Sequence, residues 1–413
     1  MTPDIDARFD DEIGFLKSLI RIPSSNPPGK CAKASEAVAK LLEKQGFEVE
    51  RLPVPKPFVH QYGMRSTANL LVRKTFGEGT GPTVVLQAHG DAVPPGDGWS
   101  EDPFGGHKRG GAIYGRGAAD AKCDIATYTF ALLALIDAAG EGLNGAVELH
   151  VTFDGEVGGA LGPSWILGQG LSKPDFAISS GITHVVTTAH NGCLHLEIVI
   201  RGIQAHAAIP ETGVDALAAT TPILTALYAE RDRLSGIRSA EPGIGTAKLT
   251  VGMITGGISF NVVPDRVVLQ LDRRLIPEED GEAVEAGLIE LITKATPALE
   301  GIDVECRRKM LAEPLCPALD TLPLAHLVQE NASAVLGADV PITGVPLYTD
   351  ARHYAAAGIP TVLYGAGPKD ISEMSAHSAD EHIALDDLHA ATAVVARTLA
   401  DILSGTLATG EGA

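Results

Sequence analysis

Positive charge is scarce in this sequence: 32 lysine and arginine residues stand against 52 aspartate and glutamate, a net charge of −20 over 413 residues. Such a surface repels phosphate, which argues against nucleic acid and anionic membrane and leaves small molecules or proteins as partners. Long apolar runs are missing as well. The most apolar stretch, Ala131 to Ala139, is short and holds Asp137, well under the roughly 18 residues a membrane helix needs. The opening residues, MTPDIDARFDDEIGFLKSLI, carry acids where an export signal carries bases and show no continuous apolar core, so export is not expected. Cys31, Cys123, Cys193, Cys306 and Cys316 are odd in number and form no CxxC pair; that usage excludes a disulfide framework and suits reduced thiols in a cytoplasm. Neither GxxxxGK[ST] nor a GxGxxG after a strand occurs, which sets nucleotide binding aside.

What is present is 45% hydrophobic residues on a chain longer than one core usually organises, so two domains are expected. The first stretch alternates helix and strand. Ala34 to Gln45 has helical periodicity and stops at Gly46, Thr83 to Gln87 reads as a buried strand, and Ala146 to Phe153 alternates apolar with polar residues as a strand. From about Cys193 to Arg308 the rhythm becomes strand 193–201, helix 212–230, strands 247–254 and 265–273, helix 279–295 and strand 302–308. That βαββαβ order is ferredoxin-like, a unit that can be inserted at a surface loop of another domain. The α/β pattern then resumes with a helix near 319–336, a strand at 360–364 and a closing helix at 386–403. The expected fold is therefore α/β: a catalytic domain with a mixed sheet flanked by helices, split into 1–191 and 310–413 around an insert at 192–309. The glycine-rich tail after Leu407 is expected to fray.

Four short segments carry candidate chemistry. His89-Gly-Asp91 follows a buried strand and places a carboxylate where it can orient an imidazole, as carboxylates do for metal-bound histidines; alone it can equally be a loop histidine bonded to backbone. Asp120 ends a glycine-rich passage just before a helix with Ile125, Tyr128, Leu132 and Ile136 on one face, and reads as a ligand or an N-cap. Asp154-Gly155-Glu156 closes a strand, a ligand pair or a turn. His377 lies in a polar loop near the C-terminus. Together a His, Asp, Glu, His set from one split domain suits a borderline divalent metal such as zinc or manganese. Cys123, on the helix after Asp120, reads as a buried structural thiol.

The wording HGDAVP, WSEDPFGG, GRGAADAK, DGEVGG, GIQAHAAIP, GGISFNVVPD, DRRLIP and AHSADEHI resembles the M20 family of metallopeptidases and amidohydrolases across nearly the whole chain. That resemblance implies a metal-dependent hydrolase of carbon–nitrogen bonds in a small carboxylate substrate. It implies that Asp120 bridges two metals, one completed by His89 and a later acid, the other by Glu156 and His377, with Asp91 orienting His89. It further implies that the insert is a lid and dimerisation domain, that His206 stabilises an oxyanion across a homodimer, and that Asn261 and Arg274 grip substrate.

Two positions depart from the family pattern. The glutamate that acts as general base is replaced by Gly155, and the acid of the first metal site aligns with Gly181 in PDFAISSGITH. Loss of both leaves Asp120, Glu156 and His377 around one expected metal per subunit, with His89 freed as a proton shuttle because its unperturbed pKa lies near neutrality. The vacated volume suits a flat ring, so the resemblance extends to an aminohydrolase of an aromatic amino acid such as 5-nitroanthranilate, its carboxylate held by Arg274 or Arg352. The alternatives are an ordinary binuclear amidase or dipeptidase, with His184 or His190 as an unforeseen ligand, and a non-catalytic binding protein.

Overall fold

The computed structural model describes residues 3–138, 142–370, 373 and 375–407; the tail expected to fray lies outside the described residues. Two compact units divide the chain, one formed by Met1–Thr188, Pro317–Thr343 and Thr349–Ala413, the other by Ala189–Cys316 and Gly344–Tyr348.

The larger sheet has eight strands in the order Glu50–Pro53, Ala68–Phe76, Gly145–Thr152, Thr83–His89, Phe176–Ser179, Thr361–Leu363, Val186–His190 and Ile342–Val345. The strands Gly145–Thr152, Thr83–His89, Phe176–Ser179 and Thr361–Leu363 run parallel, and Ala68–Phe76 pairs antiparallel with Gly145–Thr152. Parallel strands buried on both faces are expected to be apolar throughout. In Thr83–His89 the buried run Val84 to Ala88 is apolar but for Gln87, whereas every residue of Gly145–Thr152 is buried although Glu148, His150 and Thr152 are polar. Alternation there marks an internal hydrogen-bond network rather than a wet face. Glu148 accepts from His150 Nε2 (3.0 Å) and Ser172 Oγ (2.6 Å), and the other nitrogen of His150 meets the Tyr354 hydroxyl at 2.8 Å.

The helix Lys122–Ala138 differs from the amphipathic reading in the same sense: every residue from Lys122 to Leu135 is buried. It packs between the helices Phe9–Ile20 and Leu385–Leu403, so one face meets the sheet side and the other still meets protein. A helix apolar all round belongs in a core.

In the second unit the chain order is strand, helix, strand, strand, helix, strand, and the antiparallel sheet reads Lys248–Gly256, Arg266–Leu275, Gly192–Arg201, Asp303–Ala312, as a ferredoxin-like unit requires. Leu194, Leu196, Ile198 and Ile200 join Val267, Leu269 and Leu271 against Ile223, Leu227, Leu288 and Ile292 of the two helices. Strand periodicity sends Cys193, His195 and Glu197 to the opposite face. The first helix runs Ala216–Leu234, four residues later than 212–230. The Asp215 side chain caps it by accepting from the amides of Leu217 (2.8 Å) and Ala218 (3.0 Å), while Pro210–Thr212 forms a separate 3-10 turn. A capping aspartate overrode the apolar periodicity upstream of it.

Candidate metal centre

His89 is the last residue of its strand, and Glu156 lies in the turn after the neighbouring parallel strand, whose Thr152 pairs with His89. The carboxyl ends of both strands therefore open on one edge of the sheet, where α/β folds place ligands. Asp120 precedes the buried helix Lys122–Ala138, and His377 comes from the loop before the strand His382–Ala384.

Asp120, Glu156 and His377 each present one ligand atom, and those atoms lie within 4.8 Å of one another. His377 Nε2 is 3.2 Å from Asp120 Oδ2 and 3.4 Å from Glu156 Oε2. The other oxygens are anchored elsewhere: Glu156 Oε1 accepts from the Val93 amide (3.1 Å), and Asp120 Oδ1 is 3.2 Å from His89 Nε2. His89 thus sits beside the trio through Asp120. Asp91 is fully buried; its carboxylate accepts from Asn26 Nδ2 (2.8 Å) and the amides of Gly155 and Glu156 (3.1 and 3.2 Å), and lies 3.3 Å from His89 Nδ1. It ties the imidazole to the turn that carries Glu156.

The electrostatics point to a centre that stabilises positive charge. Hydrogen bonds donated to Asp120 and Glu156 push the His377 imidazolium up to about 10. Burial alone raises Asp120, yet the two histidines hold its carboxyl well below the usual range. Glu156 is raised by burial against the opposing pull of His377, and His89 is raised because Asp120 and Asp91 outweigh its burial. Two partly buried carboxylates facing one exposed imidazole form a donor set that fits a divalent cation, which would take the place of the shared proton.

A second layer escaped the sequence reading. Glu381 Oε1 accepts from the amides of Ala119 (3.0 Å) and Asp120 (3.1 Å), and its Oε2 accepts from Arg116 Nη1 at 2.6 Å. Arg116 also donates to the carbonyls of Pro95 and Ser378. The pair is almost fully buried and its hydrogen bonds fix the backbone on both sides of the site. Residues 265 positions apart leave no spacing signal; only their membership in GRGAADAK and AHSADEHI hinted at them. In the loop bearing His377, three non-glycine residues, Ser375, His377 and Asp380, have φ of 49°, 61° and 58°. Left-handed conformations of this kind cluster at functional sites, where surrounding contacts hold them. Asp380 supplies such contacts by accepting from the Ser100 amide (3.0 Å) and hydroxyl (2.7 Å).

The two departures are closed by packing. A Cβ on Gly155 would stand 2.5 Å from His89 Cγ, and one on Gly181 would stand 2.6 Å from the Tyr364 backbone nitrogen. The imidazole of His89 occupies the room a side chain at 155 needs. A Gly155→Glu variant is therefore expected to lose about 1–3 kcal/mol of stability to overpacking without gaining amide hydrolysis. A melting temperature equal to the parent's would show that the ring yields.

The other candidates have partners of their own. Asp154 turns from it to accept from the amides of Leu161 (2.6 Å) and Gly162 (3.0 Å). His184 pairs with Asp387 at 2.8 Å and His190 with the Asn191 carbonyl at 2.8 Å. Buried Arg352 donates to the carbonyls of Gly158 and Thr349, bracing the turn after Glu156. Cys123 is buried, donates to the Ala119 carbonyl, and has its thiol raised by burial, the signature of a structural residue. His206, Asn261 and Arg274 belong to the second unit, where His206 accepts from the Ala208 amide (2.9 Å), Asn261 from the Ser259 hydroxyl (2.7 Å), and Arg274 Nε donates to Asp272 Oδ1 (2.9 Å).

Residues 85–401 match the model of peptidase family M20/M25/M40. The chain belongs to the M20 family. Over 397 residues it is 29% identical to a succinyl-diaminopimelate desuccinylase of Gluconacetobacter diazotrophicus, covering 93% of this chain and 95% of that one. In structure it is similar to the dipeptidase Dug1p of Saccharomyces cerevisiae, with a TM-score of 0.80 at 16% identity and 97% of each chain covered. It is also similar to a dinuclear metal-binding M20 peptidase of Bacillus subtilis, with a TM-score of 0.67 at 18% identity over 97% of this chain and 99% of that one. This M20 protein is a metal-dependent hydrolase acting on carbon–nitrogen bonds. No helix among its described residues is long and apolar enough to cross a membrane.

Proposed function

We propose that this M20 hydrolase works with one divalent cation per subunit, manganese or zinc, held by Asp120, Glu156 and His377, and removes an amino group from an aromatic amino acid such as 5-nitroanthranilate. The observation that supports a single cation is the contrast between an intact trio and the two closed positions: the His89 ring fills the room beside Gly155, and the Tyr364 backbone fills that beside Gly181. The same packing corrects the expectation of a vacated volume for a flat ring, so the aromatic substrate rests on the family resemblance. A cation held by Asp120, Glu156 and His377 would supply Lewis acidity and lower the pKa of a water.

The chain's own groups do the rest. With no carboxylate at 155, His89 is the proton shuttle: Asp91 and Asp120, which hold its two nitrogens, favour its protonated form, so it would give a proton to the leaving amine and recover one from the attacking water. Water adds at the ring carbon that bears the amine, the carbon–nitrogen bond breaks, and the proton leaves with the amine, so that arylamine and water give phenol and ammonia. An electron-withdrawing nitro group spreads the negative charge of the addition step. Arg274 is the group for the substrate carboxylate, and Asn261 grips the substrate. Arg352 is the weaker candidate for that role, since its guanidinium already braces two carbonyls. His206 stabilises developing negative charge across a homodimer. The strand Lys248–Gly256 suits such an assembly, because it ends its sheet and carries exposed Met253 and Ile254, followed by exposed Ile258 and Phe260.

The desuccinylase likeness over nearly the full chain favours a second reading, hydrolysis of an N-acyl amino acid at a binuclear centre. One experiment separates them. Protein purified without chelator is assayed for metal content and for ammonia release from 5-nitroanthranilate beside succinate release from N-succinyl-diaminopimelate. One ion per subunit with ammonia release is expected; two ions with succinate release overturn the proposal.

A further inference from the structure

We infer that the second unit carries a separate site for a thiophilic divalent cation of the zinc class, formed by Cys193, His195 and Asp272 on two adjacent strands. Cys193 and His195 are two apart on Gly192–Arg201 and so share the face of the sheet turned from the helices. Asp272 pairs directly with His195 in the antiparallel register. One oxygen, Asp272 Oδ2, lies 3.0 Å from His195 Nε2 and 3.4 Å from Cys193 Sγ, and all three ligand atoms fall within 4.8 Å of one another.

Bond lengths of about 2.0–2.3 Å around a tetrahedral zinc ion separate its ligands by roughly 3.4–3.6 Å. The two distances from Asp272 Oδ2 differ from that by a few tenths of an ångström, within reach of side-chain tilts, and the third pair lies within 4.8 Å. Cation binding would release the thiol proton and require the Nε2 of His195 to be free of a proton. Cys193 is fully buried, while His195 and Asp272 keep 41% and 29% of their side chains exposed. The site therefore has a rigid floor and an open side for entry and for a fourth, solvent ligand. Arg274 Nε bonds the other oxygen, Asp272 Oδ1, at 2.9 Å. Its charge opposes the cation and its hydrogen bond orients the carboxylate. The mixed sulfur, nitrogen and oxygen set selects a softer metal than the sulfur-free trio of Asp120, Glu156 and His377. The inference does not depend on the reaction proposed above.

Cobalt(II) separates the two sites, because only a thiolate ligand gives it an intense near-ultraviolet charge-transfer band. Full-length protein stripped with chelator and titrated with Co2+ is expected to develop that band, saturating at one thiolate-bound ion per subunit. The band should be absent from Cys193→Ser and unchanged in Glu156→Ala. In His195→Ala it should need more than about tenfold higher Co2+, the least that a weakened ligand shell costs. Since His195 is half-exposed, that variant tests the site even where Cys193→Ser disturbs the fold. No band in the parent protein, a band kept in folded Cys193→Ser, or an unshifted titration in His195→Ala would each overturn the inference.

Discussion

Asp120→Asn is expected to empty the metal centre while leaving the fold intact. Both oxygens of Asp120 are engaged, one with His89 Nε2 and one with His377 Nε2, and their shared negative charge is what holds the two imidazoles around the site. An amide of the same shape keeps one neutral oxygen and turns a donor toward an imidazole, so both the charge and the geometry of a ligand are lost. Changes one layer out from a metal cost about 10–100-fold in affinity; loss of this group should exceed that, and turnover should fall by about three orders of magnitude or more. Metal content by mass spectrometry, activity and circular dichroism on the same preparation check the prediction. Native-like dichroism with retained metal and turnover would remove Asp120 from the role proposed for it.

The second large effect concerns stability, far from the site. Glu12 lies on the helix Phe9–Ile20 with no exposure; its Oε1 accepts from the Thr392 hydroxyl at 2.6 Å, and among the described residues its Oε2 has no partner. Burial raises its carboxyl to about 8, with the Thr392 hydrogen bond opposing. The unfolded chain releases that proton near pH 4.3. Between these values the folded state binds more protons than the unfolded state, so this contribution is fully present below about pH 4 and is lost as pH rises toward 8. At about 1.4 kcal/mol per pH unit the loss between these values amounts to about 5 kcal/mol. Glu12→Gln removes the titration. Urea unfolding at pH 5, 7 and 8.5 should show the variant gaining on the parent by several kcal/mol across the series. A difference that stays constant with pH would mean that Glu12 is ionised in the folded protein.

Much of the architecture is legible in residue order. Even-numbered leucine and isoleucine from 194 to 200 announce a strand with one covered face, and the βαββαβ rhythm follows because each element carries its own period. Where the reading slipped, a local bond or an enclosing partner outweighed the period. Asp215 moved a helix start by four residues, and the helix Lys122–Ala138 is apolar toward protein on all sides rather than on one face. Glu148 and His150 of Gly145–Thr152 are buried because they, Ser172 and Tyr354 satisfy one another, a pairing that no alternation count distinguishes from solvent.

The sequence by itself determined the family, the α/β class with its inserted ferredoxin-like unit, and which acids and histidines were available, since each is carried by contiguous motifs or by a local period. Only the tertiary structure decided that Asp120, Glu156 and His377 converge within 4.8 Å while Asp154 turns away. It likewise decided that Glu381 and Arg116 brace the backbone at Asp120, and that the His89 ring and the Tyr364 backbone fill the room beside Gly155 and Gly181. The physical reason is common to all three. Ligand convergence, burial of a paired charge and occupation of a vacated volume are properties of distances between segments far apart in the chain, and composition, period and spacing contain no such distances.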